Sequence, residues 1–323
     1  CYLSVMSQED MDRAARKGYV EPLCGFGAFT DAGELVSSVL DNRLAMRFDG
    51  GRYALSGVGG VATHPAYRRG GAVRDLMLAL LRQARADGCV FSGLYPFSHP
   101  FYRKFGFETG RVESVCAFGF EQLKPYAADI DARMMLPEDD YAALLPVYEA
   151  FTSAFNLALA RDGKRMTDML KSNPYRGNKY TYAIHDGDGV AAYVCYALKR
   201  EDGDNLLRVI DFAYASGTGF RLMLGFLYRL SAEFKKISIT LPDGIPLPWI
   251  AYEPYDLSAE SSANYMIRAL DCRRALEGVR KYGEKFVIDI RDDFLPENAG
   301  RYLVAGDRVE PTDAPADAEM SVQ

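Results

Sequence analysis

Six cysteines are scattered through 323 residues, at Cys1, Cys24, Cys89, Cys116, Cys195 and Cys272, and no two stand at the short spacing of a zinc knuckle or a redox pair. No metal site is expected. Cys24, Cys89, Cys116 and Cys195 lie in apolar or glycine-rich surroundings, which suits buried free thiols in a reducing cytoplasm. No run approaches the ~20 apolar residues of a membrane span, and no charged-then-apolar leader opens the chain. A basic surplus is also missing. The 38 basic and 44 acidic residues give a net charge of −6, which does not attract nucleic-acid phosphates and serves either solubility or a cationic substrate. The chain starts at Cys1 rather than Met, and native residues are expected beyond its ends.

An apolar fraction of 49% with 12% aromatics is ample for packed cores, and the length calls for two or three domains. Asp10–Gly18 reads as a surface helix or loop. Strands are expected over Glu34–Leu40 and Leu44–Phe48, flanking a turn at Asp41 and Asn42, and Asp49-Gly50-Gly51 reads as a tight hairpin. The run Val58–Thr63 is the last strand of this meander. After it, Val73, Leu76, Met77, Leu80, Leu81 and Ala84 recur on one helical face, and Gly88 stops the helix. Cys89–Leu94 reads as a parallel strand, Phe101–Phe105 as a short helix opened by Pro100, and Val112–Phe120 as the closing strand.

A second block repeats the order of hairpin, helix and strand. Tyr180–Ile184, Val190–Lys199 and Leu206–Ala213 read as strands, with a hairpin tip at Asp202-Gly203-Asp204. Phe220, Met223, Leu224, Leu227 and Leu230 stripe a helix, and Ile237–Leu241 follows it as a strand. A third texture begins after Pro254: a strand at Met266–Leu270, a helix at Arg273–Val279, and a hairpin pairing Phe286–Ile290 with Arg301–Val304. The acidic tail beyond Gly306 reads as loop or disordered. The expected fold class is mixed α/β (α+β), in domains spanning 1–125, 126–258 and 259–323.

The chemistry concentrates where Val58–Thr63 passes through His64-Pro65-Ala66-Tyr67-Arg68-Arg69-Gly70-Gly71 into the first helix. Backbone amides at a strand-to-helix corner point one way and, with the helix dipole, bind phosphate. Gly70 and Gly71 admit a ligand close to the main chain, and Arg68, Arg69 and Arg74 add positive charge. A glycine pair beside arginines is equally the composition of a solvated turn. The second block has Ser216-Gly217-Thr218-Gly219 at the matching place, with no arginine before Arg221.

Val61-Ala62-Thr63 followed by Arg68-x-x-Gly71 at a helix start resembles the acyl-CoA signature of the GCN5-related N-acetyltransferases (GNAT). Leu94-Tyr95-Pro96-Phe97-Ser98, Phe101-Tyr102-Arg103-Lys104-Phe105-Gly106-Phe107 and Phe294-Leu295-Pro296-Glu297-Asn298 resemble the Eis (enhanced intracellular survival) branch of that family. The resemblance covers most of the chain. It implies two tandem GNAT-like mixed-sheet domains, of which only the first binds acetyl-CoA, then a partial sterol-carrier-like α+β domain, and assembly as a homo-oligomer, a hexamer. It also implies acetyl transfer to a primary amine of a cationic small molecule, aminoglycoside- or polyamine-like, or of a lysine.

Carried over by position, the main chain of Val61 and Thr63, with Ala62 between them, would hold the pantetheine arm, and the corner Arg68, Arg69, Gly70, Gly71, Ala72, Val73 and Arg74 the pyrophosphate. Val73 stands where the signature usually has Gly or Ala, which is tolerable if its side chain enters the helix packing. Tyr102 falls on the general acid, the alternative being a packing aromatic among Phe101, Phe105 and Phe107. The branch uses its terminal carboxylate as base, which is not identifiable at Gln323, and His99 is the candidate within the motif region. His64 would shape the corner, His185 beside Asp186 reads as a turn, and Glu138, Asp139 and Asp140 cap a helix. Trp249 among prolines reads as a packing anchor. Two other readings stay open: a catalytically silent CoA-binding scaffold, and a lipid-binding carrier.

Overall fold

The computed structural model describes residues 24–322 apart from 202–203, 243, 246, 264, 280–284 and 307. Cys1, Asp10–Gly18, the hairpin-tip residues Asp202 and Gly203, Gln323, and the side chains of Cys24 and Trp249 lie outside the described residues. The chain forms two units, one made of Cys1–Gly110 with Asn264–Gln323 and the other of Arg111–Ala263.

The first unit opens with strands β1 (Cys24–Phe29), β2 (Leu35–Phe48) and β3 (Gly51–Thr63). β2 and β3 pair from Phe48↔Gly51 outward, and their two loop residues, Asp49 (φ 47°) and Gly50 (φ 84°), both have the positive φ that a two-residue hairpin requires. The turn expected at Asp41 and Asn42 does not form. Both residues lie inside β2, because their polar groups find partners across the sheet. Asp41 accepts from Ser56 Oγ at 2.7 Å, and Asn42 Nδ2 donates to the Gly57 carbonyl at 3.0 Å.

Helix α1 (Ala72–Ala86) follows, burying Leu76, Met77, Leu80, Leu81 and Ala84, the face its periodicity marks. Each such Leu or Met contributes about 1.5–3 kcal/mol on burial. Gly88, at φ 88°, ends the helix. The chain then runs through β4 (Phe91–Leu94), α2 (His99–Arg103) and β5 (Glu108–Thr109).

The expected closing strand forms, as β6 (Glu113–Gly119), but in the sheet of the second unit. Its expected place beside β4 is taken by a strand from far along the chain, Met266–Ala269 (β13 below), which pairs antiparallel with both β4 and β5. The strand order is β1-β2-β3-β4-β13-β5. The two compact units divide after Gly110 and after Ala263. Residue patterns mark strands but not partners, and this exchange leaves no signature in periodicity.

In the second unit β7 (Asp131–Met134), helices α3 (Leu145–Thr152) and α4 (Gly163–Leu170), β8 (Lys179–Asp186), β9 (Gly189–Glu201), β10 (Asp204–Tyr214), α5 (Gly217–Arg229), β11 (Lys236–Pro242) and β12 (Ser258–Ser262) build a seven-stranded sheet ordered β12-β6-β11-β10-β9-β8-β7. The stripe of α5 packs on it with Met223, Leu224, Phe226 and Leu227 buried. His185 is within β8, paired with Asp131 and Val190, rather than in a turn, and the reversal comes at Gly187 (φ 60°). Asp140 does cap, accepting from the Ala142 amide at 2.9 Å, whereas Asp139 accepts from the Leu136 amide behind it at 2.7 Å and closes the preceding turn.

The C-terminal part of the first unit comprises β13 (Met266–Ala269), α6 (Cys272–Gly278), β14 (Lys285–Arg291), β15 (Gly300–Ala305), β16 (Arg308–Pro311) and β17 (Ala318–Ser321). The expected β14/β15 hairpin forms. The tail is ordered rather than loop. β17 pairs parallel with β14, and Asp317 accepts from the Val287 amide at 2.7 Å, so a composition that reads as disordered is held by main-chain bonds to a sheet edge. Among the described residues, no helix is long and apolar enough to cross a membrane.

Candidate active site

β3 and β4 run parallel but pair only at Leu55↔Phe91, Ser56↔Ser92 and Gly57↔Gly93. β4 ends one residue further on, at Leu94, whereas β3 continues to Thr63, and among the described residues no strand is paired with Val58–Thr63 on the β4 side. An unpaired strand edge offers alternating N–H and C=O groups to an extended ligand.

On its other side β3 carries a bulge. Leu40 faces Gly59 and Ser38 faces Ala62, so Gly60 and Val61 together stand opposite Val39. Gly60 has φ 56°, and a Cβ there would lie 2.6 Å from Leu40 Cδ1, so conformation and space both select glycine. Sequence reasoning missed this feature, although two glycines inside an apolar strand are its signal.

The strand ends in a braced corner. Ser37 Oγ donates to the Ala62 carbonyl at 2.8 Å and stands 2.9 Å from Thr63 Oγ1. His64 donates its amide to the Val36 carbonyl at 2.8 Å, and its Nδ1 accepts from the Ala66 amide at 3.3 Å, capping the short turn Pro65–Tyr67. His64 thus shapes the corner, as expected. Arg69 (φ 69°) and Gly71 (φ 88°) then swing the chain into α1, with Gly71 at the N-cap and no side chain capping the helix. The first four amides of a helix lack intrahelical acceptors, so this end presents N–H groups and the positive end of the dipole to solvent.

Arg68, Arg69, Gly70, Gly71 and Arg74 are exposed, while Val73 packs against the core, which accommodates its departure from the usual small residue. The Arg74 guanidinium lies 5.9 Å from the Phe294 ring centre and 3.9 Å from Asp75. A strand that outruns its parallel neighbour and leads to a helix N-terminus beside exposed arginines fits a ligand with an extended arm and a pyrophosphate.

Tyr102 sits on α2, just after the end of β4, and is 3% exposed. The rings of Phe97, Phe101, Phe105 and Phe107 surround it at centroid distances of 5.4, 5.1, 6.4 and 6.3 Å. It shares one buried cluster with Val58 and Leu94, against which Val61 and Val73 pack, so β3, the corner and Tyr102 converge on one region. His99 is half-buried three residues earlier on the same short helix.

Nucleophilic cysteine chemistry is not favoured here. Cys89, Cys116, Cys195 and Cys272 are buried free thiols, and burial raises the pKa of each, that of Cys272 to about 11.

The second unit repeats the scaffold without the corner. β10 and β11 pair in parallel only over Leu206–Arg208, and β10 is bulged where Asp211 faces Cys195 and Val209 faces Tyr196. At the start of α5, however, Ser216 Oγ accepts from the Gly219 amide at 3.2 Å. A Cβ at Gly219 would lie 2.3 Å from the Ala191 carbonyl oxygen, so this turn is pressed onto β9.

Comparison with known proteins agrees with this fold. A GNAT acetyltransferase domain model matches residues 1–110, and a second GNAT acetyltransferase model matches residues 157–269. The protein is an acyl-CoA-dependent acetyltransferase. It belongs to the GNAT superfamily and carries two tandem GNAT domains.

Among solved structures, a GCN5-related N-acetyltransferase from Anabaena variabilis superposes with a TM-score of 0.83 at 17% identity, covering 98% of this chain and 86% of its own. A probable N-acyltransferase from Enterococcus faecalis superposes with a TM-score of 0.85 at 20% identity, covering 98% of this chain and 81% of its own. Eis1 from Mycobacterium abscessus superposes with a TM-score of 0.77 at 21% identity, covering 98% and 86%. A search of curated protein sequences finds no significant match.

Proposed function

We propose that the first unit binds acetyl-CoA and passes its acetyl group directly to a primary amine of a cationic small molecule, aminoglycoside- or polyamine-like, or of a lysine. The observation that carries this reading is that β3 pairs with β4 only as far as Gly57, while its continuation Val58–Thr63 runs straight into the open corner at Arg68–Arg74. In it the main-chain groups of Val61 and Thr63, flanking Ala62, align the pantetheine arm. The amides from Arg69 to Val73 hold the pyrophosphate, with Arg68, Arg69 and Arg74 supplying charge.

Attack of the amine on the thioester expels a thiolate, and the Tyr102 hydroxyl supplies its proton. A lysine-like amine, with a pKa of ~10.4, is neutral in roughly one molecule in a few thousand at pH 7, so a base must take its proton. His99 is the candidate within the described site. We assign the protein to the Eis branch, with its sterol-carrier-like C-terminal part, a hexameric assembly and a cytoplasmic location.

The test is CoA release from acetyl-CoA in the presence of spermidine, neomycin or a lysine peptide, beside calorimetric titration of CoA. Amine-dependent release supports the reading. Tight CoA binding without release for any amine would instead mark a silent scaffold, and failure to bind CoA while binding fatty acid would mark a lipid carrier.

A further inference from the structure

Behind Tyr102 lies a fully buried charge pair. Arg268, on β13, and Asp292 both have side chains with no exposure. The three arms of the guanidinium are all engaged: Nη1 donates to the Phe105 carbonyl, Nη2 to Asp292 Oδ2, and Nε to the Ala269 carbonyl at 3.2 Å. Asp292 is itself fixed, its Oδ1 accepting from the Phe294 and Leu295 amides at 3.2 and 2.9 Å and its Oδ2 from Asn298 Nδ2 at 3.0 Å. Asn298 closes the set by accepting from the Cys272 amide at 2.9 Å.

The turn gripped by this network is the one that ends α2. The Tyr102 carbonyl accepts from the Phe105 amide at 2.9 Å and the Phe107 amide at 3.3 Å, so Tyr102 and the Phe105–Gly106 peptide move together. Gly106 has φ 80°, and a Cβ there would lie 2.7 Å from Arg268 Nη1 and 3.3 Å from Val322 Cγ1. Only glycine lets the guanidinium reach the Phe105 carbonyl. The Phe105 ring meets Phe294 edge-on at 5.1 Å, adding a second contact from the same C-terminal segment.

We propose that Arg268 is a positioning residue, which, braced by Asp292 and Asn298, holds the α2 turn and so fixes the Tyr102 hydroxyl where the leaving thiolate departs. The proposal rests on the reading of Tyr102 as the proton donor. Its physical basis is the tolerance of such groups: a displacement of about 1 Å can lower a rate about a hundredfold. A short helix of five residues has little rigidity of its own. Removing one partner alone would strand a buried charge, whereas replacing both by apolar side chains of similar volume is often tolerated by a fold.

The test uses the full chain, with Arg268→Met/Asp292→Leu, Arg268→Lys and Tyr102→Phe. Acetyl transfer is measured on whichever of spermidine, neomycin or the lysine peptide is active. In the double variant, the expected result is a cooperative melt, a CoA Kd within about threefold of the original, an unchanged KM for acetyl-CoA, and a kcat lowered about 30- to 100-fold. Arg268→Lys keeps a cation for Asp292 but loses the fork that also reaches Phe105, and should lower kcat about tenfold. In protein labelled with 13C at tyrosine Cζ, the resonance lost in Tyr102→Phe should be single and sharp in the original and broadened or split in both Arg268 variants.

A folded Arg268 variant with full kcat and a sharp Tyr102 resonance, while Tyr102→Phe is impaired, overturns the proposal. Full turnover in Tyr102→Phe removes the proton-donor reading instead, and the proposal with it. If the double variant does not fold, Arg268→Lys decides alone by the same two readouts.

Discussion

The open corner makes a crossed prediction for its two glycines. Gly71 adopts φ 88°, yet a Cβ built there meets no atom within 4 Å. Gly71→Ala therefore suffers no clash, only the left-handed backbone, which costs an L-residue about 1–2 kcal/mol. Against this stands about 0.4–1 kcal/mol regained because the unfolded alanine has less freedom than glycine. The net loss of stability is roughly 0–1.6 kcal/mol.

Gly70 is the opposite case. Its φ is not positive, and its nearest neighbour to a built Cβ is the Tyr67 carbonyl oxygen at 3.5 Å, an ordinary contact. Nothing in the fold requires glycine there, so Gly70→Ala should be neutral or stabilise by up to about 1 kcal/mol. If a pyrophosphate lies against this backbone, the added methyl stands in its way, and CoA affinity should fall at least about tenfold, equivalent to about 1.4 kcal/mol. Urea unfolding and calorimetric titration of CoA on the two variants separate the effects. Gly70→Ala with undiminished CoA affinity would refute the corner as the pyrophosphate site.

Three further outcomes are expected. Tyr102→Phe should leave CoA affinity within about threefold while lowering kcat about 10²- to 10⁴-fold, checked by titration beside initial rates. Glu108, forked to Arg103 at 2.7 Å through both oxygens and also accepting the Thr109 amide, has its pKa lowered to about 2. Its stabilising effect is thus fully present above pH ~4.5 and lost as pH falls toward 2. The exposure of the pair screens it strongly, so the small melting-temperature gap between the original and Glu108→Gln should close between pH 5 and pH 2. Arg161 grips Asp211 with Nη1 at 2.6 Å and Nη2 at 3.0 Å, and the Tyr193 hydroxyl donates to the same carboxylate at 2.9 Å. Arg161→Met strands that nearly buried charge and should cost about 3–5 kcal/mol in urea unfolding, whereas Arg165→Met, on an exposed residue, should cost under about 1 kcal/mol.

Legibility followed the range of the interactions. Helix α1, its buried face and its stop at Gly88 could be read from spacing because a helix is a local object, and so could the Asp49-Gly50 hairpin. The Asp41-Asn42 turn was misread because the partners that satisfy those side chains, Ser56 and the Gly57 carbonyl, are some fifteen residues away along the chain. Partner choice was invisible altogether. Nothing local in Glu113–Gly119 says that it joins the second sheet, or in Met266–Ala269 that it returns to the first. The same blindness hid Arg268, which in sequence is one arginine in a short strand and becomes notable only when β13 lies beside β4. The candidate site itself was legible as a corner, whereas the short reach of the β3–β4 pairing beside it comes from the register of those two strands.

The two halves share a short parallel pair and a bulged strand, so the scaffold alone does not choose which half binds CoA. On the proposed reading, the choice lies in the fate of the helix-terminal amides. In the second unit Ser216 supplies an acceptor from within the chain, and Gly219 lets the turn settle onto the Ala191 carbonyl, so an anion would have to displace a bond and a packing contact together. In the first unit the N-cap is Gly71, which has no side chain to offer as an acceptor, and the residues before it are exposed arginines and Gly70. An N-cap without an acceptor ordinarily weakens a helix by about 1 kcal/mol. Here the buried face of α1 carries the helix regardless, and the vacant N–H groups are what an incoming pyrophosphate would satisfy. On the proposed reading, the glycines of this corner do more than permit a turn: by withholding a cap, they would leave the helix end to the ligand.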